Sequence, residues 1–311
     1  MKRKRVQYNE INDDIYGPKD FNKIKIFIFC CILFFIGFLV NFNIQDRLNA
    51  LIKPILANNQ SCPILYDKIE LEMFFPKMIF RNPVIMGQCF GQFNQKLPLK
   101  QLTIAFDGPS FIPPGIKLKV TAAEGKTLIH ILPSISFGKK VIEIRDTKLD
   151  AQHLGVMFQD GKSPFQGMMV FDGVFHIEGN KLSEGKLDIE SKNLEMPEQN
   201  IKGFLAPHLK LRTLILKARV NKDSNLDIRE FRLGNGNPVG INLKGRIFLN
   251  QDQFSASQVN LEGTLQTTPS FLEAFALLKL LLPPDPNPNG SFKMKLSGEL
   301  GNLGQPQLTN P

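Results

Sequence analysis

Alternation of apolar and polar residues dominates the chain from about Tyr66 onwards. In residues 69–73, for example, apolar side chains alternate with glutamates. A period of two is typical of a β-strand that buries one face and exposes the other. The same pattern recurs in residues 116–121, 142–145, 170–177, 185–191, 211–220, 225–233, 241–249 and 291–299. Turn signals such as Gly179-Asn180 separate these stretches, so the sequence predicts a mainly β protein with a long antiparallel sheet.

A short motif, apolar-polar-Gly-x-apolar, recurs within the predicted strands. It is present in Phe171–Phe175, Leu243–Ile247, Leu261–Leu265 and Leu296–Leu300. Glycine inside a strand often marks a bend or bulge, and repeated bends curl a long sheet. We therefore expect a curled sheet, either an open trough or a partial barrel, although chance repetition in a glycine-rich β protein remains the alternative.

One or two helices are expected to cover this sheet, and the sequence locates one of them. Thr268 is suited to cap a helix whose first residue is Pro269, and residues 270–282 are apolar on nearly all sides. Such a helix, at about 269–282, must be buried against the sheet, against a partner or on a membrane surface. Prolines then make residues 283–288 a stiff linker.

The N-terminal region has a different pattern, because residues 26–45 contain no charged side chain. Twenty helical residues span about 30 Å, the thickness of the hydrocarbon core of a bilayer. The sequence predicts a single transmembrane helix here. Its lipid-facing anchor residues are Ile26, Phe27, Ile28, Phe29, Leu33, Phe34, Phe35, Phe38, Leu39 and Val40. Residues 46–56 are expected to continue outward as a helix with Leu48, Leu51, Ile52 and Ile55 on one face.

The charges that flank this segment predict its orientation. Lysines and arginines are frequent in residues 1–25, whereas just after the segment there are only Arg47 and Lys53. Basic flanks stay in the cytoplasm, so residues 1–25 form a cytoplasmic tail and residues 46–311 a periplasmic β-rich domain at a bacterial inner membrane. A cleaved signal peptide is the alternative. It is disfavoured because a long tail precedes the apolar segment and no clear cleavage site follows it.

Four cysteines form two pairs in the sequence. Cys30 and Cys31 lie in the predicted anchor, where they serve as small apolar residues. Cys62 and Cys89 lie in the predicted periplasmic domain, where an oxidising environment permits a disulfide. We expect these two to pair, with two unpaired thiols as the alternative.

Composition and motifs do not indicate an enzyme. The formal net charge of +9 would favour contact with anionic lipid headgroups or with an acidic partner. The alternative is that these charges lie on strand faces that only contact water. Nucleic acid is not an expected partner beyond a membrane. His130, His153, His176 and His208 are widely spaced, and no metal-binding, nucleophile-elbow or phosphate-loop spacing is present. We therefore expect no catalytic residue, metal or cofactor.

Several stretches carry a resemblance to a known family. They are Phe75–Asn82 with Cys89, then Gly185–Leu194, Ile201–Gly203, Leu211–Ala218 and Leu243–Gly245. Together with the N-terminal anchor, this layout resembles the type II secretion system protein N (GspN) family, in its spirochaete and delta-type version. The closing stretch, 296–306, is similar to endings of AsmA-type periplasmic proteins.

The resemblance implies an accessory component of a type II protein secretion system, anchored in the inner membrane, that contacts other secretion components through its periplasmic domain. The AsmA-like alternative implies binding or transfer of lipid in an apolar groove. A scaffold needs a filled core and an exposed contact patch, whereas a lipid carrier needs an open apolar trough.

Overall fold

The computed structural model describes most of the chain in two units, Met1–Ala50 and Leu51–Pro311. The described residues are 23–41, 44–60, 62–72, 76–90, 95–111, 113–157, 161–179, 181–201, 204–223, 225–251, 253–274, 291–303 and 306–309.

Helix α1, Lys23–Asn41, occupies most of the predicted membrane segment. Its described apolar side chains are exposed, including Phe27 and Phe34 at 69% and 76%. Among the residues that the structure describes, no helix combines the length and the apolarity needed to cross a membrane. The transmembrane helix predicted at 26–45 is therefore not found, and the side chains of its last anchor residues, Phe38, Leu39 and Val40, lie outside the described set.

Helix α2, Ile44–Ala57, has Pro54 inside it. Its Ile52 and Leu56 pack against a buried cluster formed by Tyr66, Ile69 and Phe80, which we call the β2–β3 cluster. The predicted apolar face was partly wrong, because Leu51 and Ile55 are 65% and 69% exposed. A spacing of four residues, as between Ile52 and Leu56, aligns two side chains on one side of a helix.

The remainder of the described chain is mainly β, as predicted. Its strands are β1 (Ile64–Leu65), β2 (Lys68–Glu72), β3 (Lys77–Arg81), β4 (Val84–Met86), β5 (Lys96–Pro98), β6 (Gln101–Phe111), β7 (Pro114–Glu124), β8 (Thr127–Ser136), β9 (Lys139–Asp150), β10 (Met168–Glu178), β11 (Lys181–Met196), β12 (Gln199–Ile201), β13 (Phe204–Ala206), β14 (Leu209–Val220), β15 (Asn225–Gly234), β16 (Val239–Phe248), β17 (Gln258–Thr267), β18 (Ser291–Glu299), β19 (Asn302–Leu303) and β20 (Gln307–Thr309). Short 3-10 helices span Gly87–Phe90, Ala151–Met157 and Phe254–Ala256.

Fifteen of these strands form one large antiparallel sheet, which confirms the predicted long sheet. Its order is β19-β18-β17-β16-β15-β14-β11-β10-β9-β8-β7-β6-β3-β2, with β20 also paired to β18. Most neighbours in the sheet are neighbours in the chain, so the chain is a meander. Two insertions interrupt it, the sheet β1-β4-β5 and the hairpin β12-β13. The large sheet is not closed, since β2 and β19 are at opposite ends of the order.

The predicted disulfide is confirmed. Cys62 precedes β1 and Cys89 lies in the first 3-10 helix, with their Cα atoms 4.3 Å apart. β1 pairs with β4 between these residues, placing Ile64 opposite Ile85. The disulfide therefore closes the segment that contains β2, β3 and the β2–β3 cluster.

Helix α3, Pro269–Ala274, begins where the sequence predicted it to. The Thr268 hydroxyl accepts a hydrogen bond from the Phe271 backbone N–H at 3.3 Å, which caps the first turn. Phe271 is buried with Leu265 and Phe292, so α3 covers the sheet at this point. The rest of the predicted helix and the proline linker at 283–288 lie outside the described residues.

Candidate functional site

The large sheet carries an unbroken row of apolar side chains across its strands. At each step of the pairing order, an apolar residue or glycine lies opposite another one. We call this row the apolar lane, and it crosses thirteen strands: Leu71, Met78, Ile104, Val120, Ile131, Ile144, Gly173, Leu187, Ala218, Ile228, Gly245, Leu261 and Leu296.

Further apolar rows lie beside the lane, two residues away from it along each strand. On one side are pairs such as Phe106 with Leu118, and on the other are pairs such as Leu102 with Ala122. Because successive side chains of a strand point to opposite faces, all these rows belong to the same face of the sheet. We call it the apolar face.

The opposite face is polar and carries ion pairs between and along strands. Arg145 Nε lies 2.6 Å from a Glu143 carboxylate oxygen, and Lys186 pairs with Asp188. Arg246 Nε lies 3.0 Å from an Asp227 carboxylate oxygen on the neighbouring strand. Carboxylates hold the pKa of the Arg145 guanidinium above its ordinary value, chiefly through the hydrogen bonds that the guanidinium donates to Glu143. This face is therefore suited to water.

Burial along the lane is uneven. At its β14–β18 end, Ala218, Ile228 and Leu261 belong to a buried cluster. At its β2 end, Leu71, Met78 and Ile104 pack against the β2–β3 cluster. Between them, in β7–β11, the lane side chains of Val120, Ile131, Ile144 and Leu187 are only half-buried, and only Gly173, which has no side chain, is buried. The middle of the apolar face is thus incompletely covered by the described residues, unlike an ordinary protein core.

A cavity of 420 Å³ opens on this face near β2, β3, β6 and β7, and its lining is largely apolar. The lining residues on the lane or the adjacent row are Leu71, Met78, Ile104, Phe106 and Leu118. Other clefts, such as one of 560 Å³ near Arg219 and Arg229, lie among charged side chains of the polar face. The apolar cavity is the one whose lining matches an aliphatic chain.

Glycines on the apolar face allow neighbouring strands to approach closely. A Cβ on Gly263 would lie 1.8 Å from the Asn242 backbone oxygen, and one on Gly245 would lie 2.3 Å from the Asn260 oxygen. Gly245 also has a φ of +146°, which disfavours any side chain. These positions belong to the repeated glycine motif of the sequence, and register irregularities accompany it at Phe171/Gly173 in the pairing of β9 with β10.

The four histidines are not brought together by the fold. His153 Nδ1 lies 2.7 Å from the Thr127 hydroxyl, and His208 Nε2 lies 2.9 Å from a Glu195 carboxylate oxygen. The His130 backbone N–H donates to the Thr147 hydroxyl. Across the described part of the chain, no three His, Cys, Asp or Glu side chains are placed to hold a metal ion.

Sequence reasoning identified the disulfide and the strands, but it missed the apolar lane as a continuous surface. Part of the signal was present, since most lane residues, though not Met78, Ile104 or Ile131, lie in an alternating stretch or glycine motif. Only the register of each strand pair shows that these residues lie opposite one another.

Comparisons with known proteins leave the family open. No protein-family model, no curated protein and no solved structure matches the chain.

Proposed function

We propose that the apolar face binds the acyl chains of lipid, in an open trough formed by a curl of the large sheet. The observation that carries this proposal is the unbroken apolar lane, whose side chains in β7–β9 and β11 are only half-buried in a sheet that does not close. Leaving so many adjacent aliphatic side chains in contact with water is unfavourable. An aliphatic ligand on this face would remove that contact.

The dimensions suit such a ligand. Adjacent strands lie about 4.8 Å apart, so a lane across thirteen strands extends about 55–60 Å. Two opposed acyl chains fill the roughly 30 Å hydrocarbon thickness of a bilayer. The lane is longer than that, so it is long enough for an acyl chain. The glycines at 173, 245 and 263 allow neighbouring strands to approach closely on the same face and favour the curl.

A location outside the cytoplasm is part of the proposal. The Cys62–Cys89 disulfide supports an oxidising compartment. The exposed apolar side chains of α1 and the basic residues before it support attachment to the inner membrane, with the sheet in the periplasm. Protease added to spheroplasts should then degrade the β-rich domain, and its survival would contradict this topology.

Lipid binding is tested by native mass spectrometry of the full-length protein after extraction in detergent. Phospholipid adducts that persist as the detergent is removed in the gas phase are expected. A spectrum of bare protein, obtained under conditions that keep lipid on a known carrier, would contradict the proposal.

Two adjacent residues of β7 supply a matched pair of variants. Val120 lies on the apolar lane, opposite Ile131, whereas Thr121 lies on the polar face, opposite His130. Val120→Glu places a carboxylate among the acyl chains and should abolish the adducts, because desolvating a charge beside hydrocarbon is costly. Thr121→Glu adds the same charge on the other face and should leave them unchanged. Far-UV circular dichroism checks that both variants fold, and equal adduct levels in the two would refute the assignment of the face.

The role in type II protein secretion stays a prediction that depends on the resemblance alone. It predicts that the protein co-purifies with other type II secretion components from bacterial membranes. If the Val120→Glu variant still co-purifies with those components but no longer carries lipid adducts, protein contact and lipid binding are separate roles.

A further inference from the structure

Two phenylalanines project from the ends of neighbouring hairpins. Phe111 is the last residue of β6 and is 79% exposed, and Phe137 directly follows β8 and is 92% exposed. Phe137 precedes Gly138, whose φ of +73° forms the turn into β9. Such exposure of a large aromatic ring to water is unfavourable and suggests a binding role.

Both rings lie at the same end of the sheet. Phe111 is opposite Pro114 at the β6–β7 turn, and Gly115 is opposite Ser136 beside the β8–β9 turn. The β10–β11 turn is hydrogen-bonded to the β8–β9 turn, because the Gly179 backbone N–H donates to the Gly138 carbonyl oxygen at 3.1 Å. We call the ends of these three hairpins, β6–β7, β8–β9 and β10–β11, the hairpin end.

The apolar face continues to the hairpin end. Ile116 and Ile135 lie opposite each other just before the turns and are 45% and 42% exposed. Phe111 lies opposite Pro114, one strand period beyond the pair of Pro109 with Ile116 and on the same side. Phe137 lies in the neighbouring turn, directly after Ser136. Phe111 therefore extends the apolar face past its last strand pair, and Phe137 lies beside it at the hairpin end.

Lysines lie at the same hairpin turns as these rings. Glu178 is paired with Lys139 at 3.1 Å, and Glu184 lies 3.6 Å from Lys222, so nearby carboxylates are already neutralised. Within the described residues, Lys140 and Lys181 have no carboxylate within ion-pair distance. Lys140 lies between Ile135 and Ile177 in the register, on the apolar face itself.

We propose that the hairpin end docks on a bilayer that contains anionic phospholipid, with Phe111 and Phe137 entering the headgroup region. Protruding aromatic rings with a basic rim match such a surface, where rings settle at the interface and lysines meet phosphates. This contact goes beyond the binding of lipid on the apolar face and can hold whether or not that face carries acyl chains.

The chain contains no tryptophan, so a single introduced indole reports its own surroundings. The full-length Phe137→Trp variant is mixed with vesicles of phosphatidylcholine and phosphatidylglycerol whose acyl chains are brominated. We expect a blue shift of its emission and quenching by the bromine atoms. Phe111→Trp should behave in the same way.

Leu128→Trp is the matched control. Leu128 lies in β8 on the side of the β7–β8 turn and is 37% exposed. It is about 30 Å from Phe137 at the rise of an extended strand. Its indole should stay unquenched, even if another part of the chain holds the protein on the vesicle. Equal quenching of the indoles at 128 and 137, or none at 137, would overturn the proposal.

Charge supplies a second measurement. In the Phe137→Trp background, Lys140→Gln with Lys181→Gln should raise the lipid concentration for half-maximal quenching about fivefold for each lysine. Lys126→Gln, in the β7–β8 turn at the other end of the sheet, should not change it. Quenching that is insensitive to these lysines and to the phosphatidylglycerol content would mean that anionic headgroups are not recognised. A docked protein partner instead of a bilayer would leave the indole at 137 unquenched by brominated lipid.

Discussion

Removal of the Cys62–Cys89 disulfide is expected to cost a large share of the stability of the β-rich domain. The two cysteines are 27 residues apart in the sequence. For a loop of that length, the chain-entropy relation gives about 3.5 kcal/mol of stabilisation at 25 °C. The closed segment holds β2, β3 and the β2–β3 cluster with its buried Ile69 and Phe80, so this edge of the sheet should open first.

The experiment compares the double variant Cys62→Ser/Cys89→Ser with the full-length wild-type chain. Urea unfolding, followed by far-UV circular dichroism in a mild detergent, measures the free energy of unfolding. Cys30→Ser/Cys31→Ser is the matched control, because both residues are free and exposed in α1. A loss below about 1 kcal/mol, well under the range for native disulfides, would refute the reasoning, as would an equal loss in the control.

Three further predictions concern single side chains of the sheet. Gly263→Ala should lower the free energy of unfolding by about 1–3 kcal/mol or more in urea titrations, because its Cβ would meet the Asn242 backbone oxygen; an unchanged midpoint would contradict this close approach. Phe292→Ala should cost about 3–5 kcal/mol in the same titration, since Phe292 is 0% exposed; a loss typical of a surface position would show that the ring is not in the core. The Arg81 guanidinium, hydrogen-bonded to Glu70 at 2.7 Å, holds the pKa of that carboxyl below its ordinary value of 4.5. The contribution of this ion pair to stability is therefore present above pH 4.5 and is lost as the pH falls through the lowered pKa of Glu70. Glu70→Gln should flatten the pH dependence of the melting temperature in that acidic window, and an unchanged profile would show that the pair makes no contribution.

Much of the local structure could be predicted from the sequence. The alternation that begins near Tyr66 located many of the strands, and β18 has the predicted bounds, Ser291–Glu299, but β6 and β8 were not singled out. The start of α3 followed from Thr268 and Pro269, since capping and proline geometry depend on a few adjacent residues. The face of α2 was less well predicted, because several apolar residues compete and only the position of the β2–β3 cluster selects Ile52 and Leu56.

The sequence by itself determined that the domain is mainly β, where many of its strands lie, which side of those strands is apolar and which cysteines could pair. It did so because the alternation of a strand and the residues of a turn depend on positions that are close together in the chain. Tertiary structure alone decided that thirteen strands align one apolar row, since each bulge shifts a strand against its neighbour and the register depends on the pair. It also decided that Phe111 and Phe137 lie together at one end, because the β6–β7 and β8–β9 turns come side by side only when β7 pairs with β8.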